Sequence, residues 1–303
     1  MSKLASTAVD QVIFGDAAEV LSEIPESSVD CVVTSPPYYG QREYTGAKTN
    51  QRPAKRPASR RTAEIGREPT PAQYVDALVA VFSQCQRVLK ETGTLWIVLG
   101  DKYARGELLG MPWRVALALK DDGWILRSDC IWQKPNAMPS SVKTRPTTDH
   151  EYIFFFSKSA DYFYDADAIR EPHVTFSDKS KMRGGRNHFF QRGSTPETGK
   201  NGGDSNLHDA RWDQAFHPKG RNKRTVWSIP LSKCRETHFA VFPESLVETC
   251  ILAGCPEDGV VLDPFLGSGT SALVAKRLGR HYLGIDCVKQ YCEMAERRLA
   301  EMD

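Results

Sequence analysis

Strand-like and helix-like segments alternate along most of the 303-residue chain, and this alternation restricts the fold more than any other feature. QVIFG, VDCVVTS and TLWIVLG are short apolar runs typical of buried strands, and helix-like segments such as AAEVLSEIP and PAQYVDALVAVFSQCQRVLKETG separate them. Strands that alternate with helices form βαβ units, in which the strands are parallel. The sequence therefore predicts an α/β domain built on a parallel sheet.

The periodicity is interrupted in the middle of the chain. WILRSDCIWQK and HEYIFFFSK are two adjacent β-rich stretches, and we expect them to pair antiparallel at a sheet edge. Regular patterning is lost from His173 to about Thr225 and returns with ESLVETCILAGC, GVVLDPF, SALVAKRLG, RHYLGID and VKQYCEMAERRLAEM. We therefore interpret residues 1–172 and 226–303 as two halves of one domain and residues 173–225 as an insert.

Basic residues concentrate in two segments. Residues 41–68 hold eight Lys or Arg against three Asp or Glu, and residues 173–225 hold eleven against five, although the whole chain has a net charge of only +2. An acidic body that presents two basic loops is typical of a protein that binds a polyanion. Two solvated loops with incidental charge are the alternative.

Composition excludes several other classes of protein. The sequence contains no run of about 18 apolar residues, and its first residues, MSKLASTAVDQVIFGD, lack the apolar core of a signal peptide. We therefore expect a cytoplasmic protein with no membrane partner. The eight cysteines form no C-x-x-C pair, so buried reduced thiols are predicted. The histidines of the insert are too irregularly spaced for a zinc site, and no metal is predicted.

A strand, an acid and a glycine-rich turn precede a helix near the C-terminus. The strand VVLD ends at Asp263 and leads into PFLGSG, where glycines let a ligand approach the backbone. A second strand ends at Asp286, 23 residues later, a spacing that suits an acid contacting ribose hydroxyls. The turn matches neither the dinucleotide fingerprint nor the ATP-binding P-loop. A different nucleoside cofactor is therefore predicted.

Another strand, DCVV, runs directly into TSPPYYG. Two consecutive prolines hold the chain extended and donate no backbone hydrogen bonds. The Ser35 hydroxyl and the Pro36 carbonyl can accept hydrogen bonds from an amino group, and Tyr38 offers a ring for stacking. These actions suit a base extruded from a duplex. A rigid bend without chemistry is the alternative.

The combination of TSPPY near the N-terminus with DPFLGSGT near the C-terminus resembles the permuted, beta-group amino-methyltransferases of bacterial restriction-modification systems. Gly15-Asp16, Gly100-Asp101, WQKPNAMPSSVKTRPTTDHEYIFFFSK and HFAVFPESL are similar to secondary motifs of that family. The resemblance implies a Rossmann-like S-adenosylmethionine-dependent methyltransferase fold with circularly permuted motif order. Its seven-stranded sheet would be mostly parallel, with one antiparallel strand.

The same resemblance implies roles for individual residues. The catalytic tetrapeptide would be Ser35, Pro36, Pro37 and Tyr38. The residues implied to bind S-adenosyl-L-methionine are Asp16, Thr34, Phe242, Pro243, Asp263, Pro264, Phe265, Gly267, Ser268, Gly269, Thr270 and Asp286. Asp286 would contact the ribose and Asp16 the adenine, while Phe242 and Pro243 would close the pocket.

In that family a serine in the tetrapeptide usually accompanies cytosine N4 as the target, and an aspartate accompanies adenine N6. The resemblance therefore implies a site-specific DNA methyltransferase that transfers the methyl group directly to N4 of a flipped-out cytosine. Alternatives are adenine N6, an RNA or protein amino group, and a catalytically silent DNA-binding module. Cytosine C5 is excluded because Tyr38, rather than a nucleophilic cysteine, follows Pro37.

Double-stranded DNA is the predicted partner, and the resemblance implies that residues 173–225 recognise its sequence. The residues predicted to contact DNA are Arg52, Lys55, Arg56, Arg60, Arg61, Arg183, Arg186, Arg192, Lys219 and Arg221. A separately acting cognate restriction endonuclease and a homodimer remain open. Trp132 is predicted to belong to the core, and His150 and Glu151 to brace the adjoining strand.

Overall fold

The computed structural model describes residues 9–40, 65–172, 219–231 and 242–302. By internal contacts the chain divides into two compact units, Met1–Asp165 with Thr225–Asp303, and Ala166–Arg224. The larger unit is built on a mostly parallel sheet covered by helices. In the described part of the chain, every helix is too short or too polar to span a bilayer.

Eight strands form the sheet of the larger unit. Their bounds are β1 Gln11–Phe14, β2 Val29–Thr34, β3 Leu89–Leu99, β6 Ile125–Gln133, β7 His150–Ser157, β8 Val226–Ser228, β9 Val260–Asp263 and β10 His281–Asp286, while β4 Tyr103–Ala104 and β5 Glu107–Leu108 form a separate ribbon. The order across the sheet is β1-β10-β9-β2-β3-β7-β6-β8. Only β7 runs antiparallel to its neighbours, β3 and β6. The mostly parallel sheet with one antiparallel strand is confirmed.

The sheet has one strand more than the seven expected. β8 pairs parallel with β6, with Trp227 opposite Trp132, so the antiparallel pair β6–β7 does not form the sheet edge. The Trp132 indole is buried and donates a hydrogen bond to the carbonyl of Ile229 at 2.8 Å. Only three residues long, β8 lacks the apolar alternation that would reveal it in the sequence. Trp132 is a core residue, as predicted.

Helices cover both faces of the sheet. Their bounds are α1 Ala17–Glu23, α2 Pro71–Val88, α3 Met111–Asp121, α4 Glu244–Gly254, α5 Thr270–Arg277 and α6 Lys289–Ala300. Successive side chains of a strand point to opposite faces. Val32 accordingly belongs to the core cluster that includes Leu78 and Phe82 of α2, whereas the neighbouring Cys31 lies close to Gly254 of α4.

The end of α2 differs from the expectation. Thr70 caps the helix by accepting a hydrogen bond from the backbone N–H of Gln73, and Pro71 follows at the first helical position. The helix-like pattern predicts helix as far as Gly93, but α2 ends at Val88 and β3 begins at once. Leu89 pairs with Val29 of β2, because pairing across the sheet outweighs the local helix propensity there.

The thiols in the described part of the chain are free, and all but Cys287 are buried. Burial raises the pKa of the Cys292 thiol to about 11. The prediction of buried reduced cysteines is therefore confirmed for six residues and wrong for Cys287. Cys234 lies outside the described residues.

Candidate active site

The carboxyl ends of the parallel strands bring the two predicted motifs to one edge of the sheet. β9 ends at Asp263 beside β2, which ends at Thr34, and the two strands pair parallel. From β9 the chain passes through α5 to β10 on one side, and from β2 it passes through α2 to β3 on the other. The sheet therefore has its topological switch point between these strands, where α/β folds bind ligands.

The Ser-Pro-Pro-Tyr segment is held rigidly at the end of β2. Pro36 is buried, Ser35 and Tyr38 are half-buried, and the Tyr74 hydroxyl of α2 donates a hydrogen bond to the Pro37 carbonyl at 2.9 Å. The Tyr38 ring lies against Gly100, where an added Cβ would stand 2.7 Å from Tyr38 Cε2. The segment therefore packs against Gly100 and is hydrogen-bonded to α2.

A chain of hydrogen bonds runs from the tetrapeptide to β7. Ser35 Oγ donates to Tyr38 Oη at 3.3 Å, and Tyr38 Oη donates to Glu151 Oε2 at 2.8 Å. Lys134 Nζ contacts the other carboxylate oxygen, Oε1, in an ion pair whose side chains are 15% and 17% exposed. Burial, followed by the charge of Glu151, holds the pKa of Tyr38 well above its usual range. Tyr38 is therefore a neutral hydroxyl that donates to a carboxylate.

Glu151 and Lys134 belong to this site, although the sequence gives them no such role. Glu151 was expected to brace the adjoining strand, but its partners are Tyr38 and Lys134. Because β7 alone runs antiparallel, its first residues lie at the edge where the parallel strands end. One sequence feature could have identified Glu151. It is an acid near the start of HEYIFFFSK, the stretch predicted to pair antiparallel with the β-rich stretch before it.

Asp263 lies beneath the glycine-rich turn and is only 1% exposed. One carboxylate oxygen accepts hydrogen bonds from Thr34 Oγ1 at 2.6 Å and the Phe265 backbone N–H at 3.0 Å, and the other accepts from Ser271 Oγ at 2.5 Å. Burial nevertheless raises its pKa to about 6. The polar groups of Asp263 and Thr34, predicted to bind cofactor, therefore bond each other and fasten β2 to the turn.

The glycine-rich turn itself is shaped by its glycines. Gly269 has φ +87°, and an added Cβ would stand 2.7 Å from the Ala295 Cβ of α6. α5 begins at the next residue, Thr270, and no side chain caps it. The Thr270 hydroxyl is buried and has no hydrogen-bond partner among the described residues. Pro264 is buried, and the half-buried Phe265 ring packs edge-on against Phe82.

Asp286 and Ser268 are tied to backbone or side-chain groups around the turn. Asp286 accepts hydrogen bonds from the backbone N–H groups of Gly267 and Val288, both at 2.8 Å, and burial raises its pKa. Arg298 of α6 donates to the Ser268 carbonyl at 2.6 Å and to its hydroxyl at 3.2 Å. Asp286 stays half-buried at the strand edge, whereas the polar groups of Ser268 are turned toward α6.

The remaining predicted cofactor residues lie at helix starts. Asp16 caps α1 by accepting from the backbone N–H groups of Ala18 and Glu19 through Oδ1. Pro243 is the residue before α4, and its carbonyl accepts from Leu246 N–H at 3.0 Å. Pro243 is buried and the adjacent Phe242 is half-buried.

Two predicted DNA-contacting residues lie among those described, in the unit Ala166–Arg224. Lys219 Nζ stands 3.3 Å from Asp167 Oδ2, and Arg221 Nη2 stands 3.2 Å from Glu171 Oε2. Both cations thus have acidic neighbours in their own unit. Eight others lie outside the described residues: Arg52, Lys55, Arg56, Arg60, Arg61, Arg183, Arg186 and Arg192.

Comparison with known proteins identifies the family and the fold. The sequence model of the N6/N4 DNA methylase family matches residues 29–297. Type II methyltransferase M.Cfr9I of Citrobacter freundii is 36% identical over 95% of this chain and 87% of its own length. The cytosine-N4-specific PvuII DNA methyltransferase has a TM-score of 0.66 at 21% identity, covering 97% of this chain and 87% of its own.

A third similar protein is TTHA0409 of Thermus thermophilus, solved as a complex with S-adenosyl-L-methionine. Its structure has a TM-score of 0.59 at 26% identity and covers 97% of this chain and 94% of its own. The fold is thus the Rossmann-like fold of S-adenosylmethionine-dependent methyltransferases. From the family match and the 36% identical relative, the chain belongs to the N6/N4 DNA methylase family.

Proposed function

We propose that this protein transfers a methyl group from S-adenosyl-L-methionine to the exocyclic N4 of a cytosine in double-stranded DNA. The observation that carries the proposal is the position of Ser35. Its hydroxyl stands at the switch point of the sheet, one residue beyond Thr34, which is bonded to Asp263 under the glycine-rich turn. A group that accepts hydrogen bonds from an amino nitrogen is therefore adjacent to a turn suited to a nucleoside cofactor.

The glycine-turn side fits S-adenosyl-L-methionine on two observations. The Thr270 hydroxyl is buried without a partner in the described structure, at the start of a helix that no side chain caps, and such a helix end favours a carboxylate. Gly269, with φ +87°, has a backbone conformation that side chains rarely adopt, and it lets the turn pass directly into this helix end. When bound, this cofactor supplies a methyl group carried on a sulfonium sulfur.

The other parts of the cofactor would be held by residues that follow the strand ends. Asp286 retains lone pairs beyond its two backbone hydrogen bonds, and these would accept from ribose hydroxyls. Asp16 Oδ2 has no partner in the described part of the chain and would face the adenine. Phe242 and Pro243 would close the pocket. Asp263 contributes indirectly, because it holds the turn in place.

The Ser-Pro-Pro-Tyr side would hold the target base. Ser35 Oγ and the Pro36 carbonyl would accept hydrogen bonds from the amino group, and the Tyr38 ring would stack on the base. The proline pair and the Tyr74 hydrogen bond keep these groups in position before the substrate arrives. Catalysis then depends mainly on positioning, and no covalent bond to the enzyme is required.

Cytosine N4 is favoured over adenine N6 because Ser35 occupies the first position of the tetrapeptide. Adenine N6 is the second candidate, since the matching family contains both activities. We further propose that residues 41–68 and 173–225 contact DNA, because both segments carry excess positive charge. A cognate restriction endonuclease would act as a separate protein on the same sequence.

The proposal is tested by offering three substrate classes to the purified protein with methyl-labelled S-adenosyl-L-methionine. Unmethylated genomic DNA, total RNA and an unmodified protein mixture are incubated separately, and incorporated label is counted. We expect label in DNA alone, and the Ser35→Ala variant should abolish most of it. Label in RNA or protein but not DNA would contradict the proposal. DNA binding without incorporation would point to a silent DNA-binding module.

A further inference from the structure

The orientation of two hydroxyl hydrogens is determined by Glu151. A carboxylate can only accept hydrogen bonds, so the single Tyr38 hydroxyl hydrogen must point toward Glu151 Oε2, 2.8 Å away. The Tyr38 oxygen then has only lone pairs to offer to its other neighbour. Ser35 Oγ stands 3.3 Å from it, so the Ser35 hydrogen must point toward Tyr38. The remaining lone pairs of Ser35 are left for the substrate.

Lys134 contacts the carboxylate that ends this chain of hydrogen bonds. Its ammonium contacts Glu151 Oε1, and the two side chains are 15% and 17% exposed. With Oε1 in contact with the ammonium, Oε2 is the oxygen that accepts from Tyr38. Gly100 provides the space for the arrangement, because an added Cβ would stand 2.7 Å from Tyr38 Cε2 and 3.2 Å from Glu151 Oε1.

We propose that Glu151 is a positioning residue that turns the Ser35 lone pairs toward the target amino group and takes up, through Tyr38, the proton that this group loses. The proposal rests on the function proposed above. An amino group donates hydrogen bonds, so a serine fixed as an acceptor matches it, whereas a freely rotating serine would match it only part of the time. Glu151 acts through Tyr38 and Ser35 and does not touch the base.

The proton transfer balances without another reactant. The amino nitrogen forms a bond to the methyl carbon while the bond from that carbon to sulfur breaks, which leaves one positive charge on the nitrogen. A proton passes from nitrogen to Ser35 Oγ, the Ser35 proton passes to Tyr38 Oη, and the Tyr38 proton passes to Glu151 Oε2. Both hydroxyls end neutral, and the partly exposed Glu151 releases its proton to water.

The first test compares Glu151→Gln and Tyr38→Phe with the wild-type protein and with Glu91→Gln as a control. Glu91 is an exposed carboxylate that also pairs with a lysine, Lys158. A glutamine can donate its amide hydrogen to Tyr38 and reverse the hydroxyl chain, and phenylalanine interrupts the chain but keeps the ring. We expect kcat to fall about 100-fold in each site variant, with KM for DNA and for S-adenosyl-L-methionine changed less than about 3-fold.

Two further results separate this role from a structural one. The double variant Tyr38→Phe with Glu151→Gln should be as active as the less active of the two single variants, because both changes interrupt the same chain of hydrogen bonds. In protein labelled with 3-fluorotyrosine and free of ligands, the Tyr38 ¹⁹F resonance, assigned by its loss in Tyr38→Phe, should shift in Glu151→Gln and not in Glu91→Gln. The resonance reports the hydrogen bond without any catalysis.

Additive losses in the double variant, or wild-type kcat in Glu151→Gln, would overturn the proposal while leaving the proposed function intact. If Glu151→Gln unfolds, Tyr38→Phe alone decides, and a wild-type kcat in that variant would likewise overturn it. Failure of the proposed function itself has a different signature, since the wild-type protein would then transfer no methyl group to DNA.

Discussion

Asp263, on the glycine-turn side of the site, and Glu151, on the Ser-Pro-Pro-Tyr side, are carboxylates whose hydrogen-bond partners differ in kind. Asp263 is 1% exposed and accepts from three groups of the framework, those of Thr34, Phe265 and Ser271. Glu151 keeps 17% of its side chain exposed and accepts from Lys134 and from a tyrosine of the tetrapeptide.

This difference separates holding a site together from orienting it. The partners of Asp263 all lie within the scaffold, so its removal should lower stability first and activity as a consequence. The hydrogen bonds of Glu151 lead to the Ser35 hydroxyl, which faces the proposed substrate. Replacing Glu151 by glutamine, which keeps an acceptor and fills the same space, should therefore lower activity more than stability. Substitutions on the two sides of the site test that separation.

Replacement of Ser35 by alanine should have the largest effect. Ser35→Ala removes the acceptor for the amino group, and we expect single-turnover methyl transfer to DNA to slow about 1000-fold, equivalent to ~4 kcal/mol. The control Ser22→Ala removes an exposed helical serine whose hydroxyl donates to the Glu19 carbonyl. A loss below about 10-fold for Ser35→Ala would show that this side of the site does not perform the chemistry.

The Asp263→Ala variant should lose about 3 kcal/mol of unfolding free energy. It leaves two buried hydroxyls and one backbone N–H without their acceptor, and each unsatisfied group costs about 1 kcal/mol or more. Urea unfolding at pH 7 measures the change, with the exposed Asp121→Ala as control. If Asp263→Ala were as stable as wild type and merely inactive, the scaffold role of Asp263 would be wrong.

A pair of glycine substitutions isolates the packing of the turn from its backbone conformation. Gly269 and Gly106 have φ values of +87° and +86°, but only Gly269 faces a neighbour, the Ala295 Cβ at 2.7 Å from an added Cβ. We expect Gly106→Ala to cost about 1 kcal/mol and Gly269→Ala about 2 kcal/mol, with the difference arising from overpacking. If urea unfolding showed equal losses of unfolding free energy for the two variants, α6 would have to move away from the added methyl group without destabilising the fold.

The smallest predicted effect concerns pH. Burial raises the pKa of Asp263 to about 6 from its ordinary value of 3.8, so the folded state binds this proton more tightly than the unfolded state does. The contribution to stability is then fully present below pH 3.8 and is lost as pH rises through 6. The stability difference between wild type and Asp263→Ala should therefore be about 1 kcal/mol larger at pH 5 than at pH 7.

Comparing urea unfolding of both proteins at the two pH values removes the titration of all other groups. A difference that shrinks as pH falls from 7 to 5 would mean that the hydrogen bonds from Thr34, Ser271 and Phe265 stabilise the charged form more than burial destabilises it. That outcome would reverse the direction of the Asp263 pKa shift but leave the scaffold role intact.

The sequence predicts the scaffold better than the contacts between distant segments. Strand and helix alternation predicts the parallel sheet, whereas only the structure shows that the two motifs end on neighbouring strands. The Tyr38 contact with Glu151 joins residues 113 positions apart, and it exists because one strand runs antiparallel. The sequence around neither residue predicts this hydrogen bond.

Two other features depend on tertiary context in the same way. The start of β3 at Leu89 is set by pairing with Val29, which overrides a helical pattern. The Asp263 carboxylate turns inward because Thr34 and Ser271 surround it, and an acid after a buried strand is equally compatible with a ligand contact. Local chemistry therefore identified the edge of the sheet, and the partners at that edge required the structure.

The most direct measurement of the central claim identifies the methylated base. Unmethylated genomic DNA is incubated with the protein and methyl-labelled S-adenosyl-L-methionine, digested to nucleosides and analysed by mass spectrometry. N4-methylcytosine is the predicted product, and Ser35→Ala should form far less of it in the same time. N6-methyladenine would contradict the assignment of cytosine while keeping an amino-group acceptor at Ser35, and 5-methylcytosine would contradict the account of the site altogether.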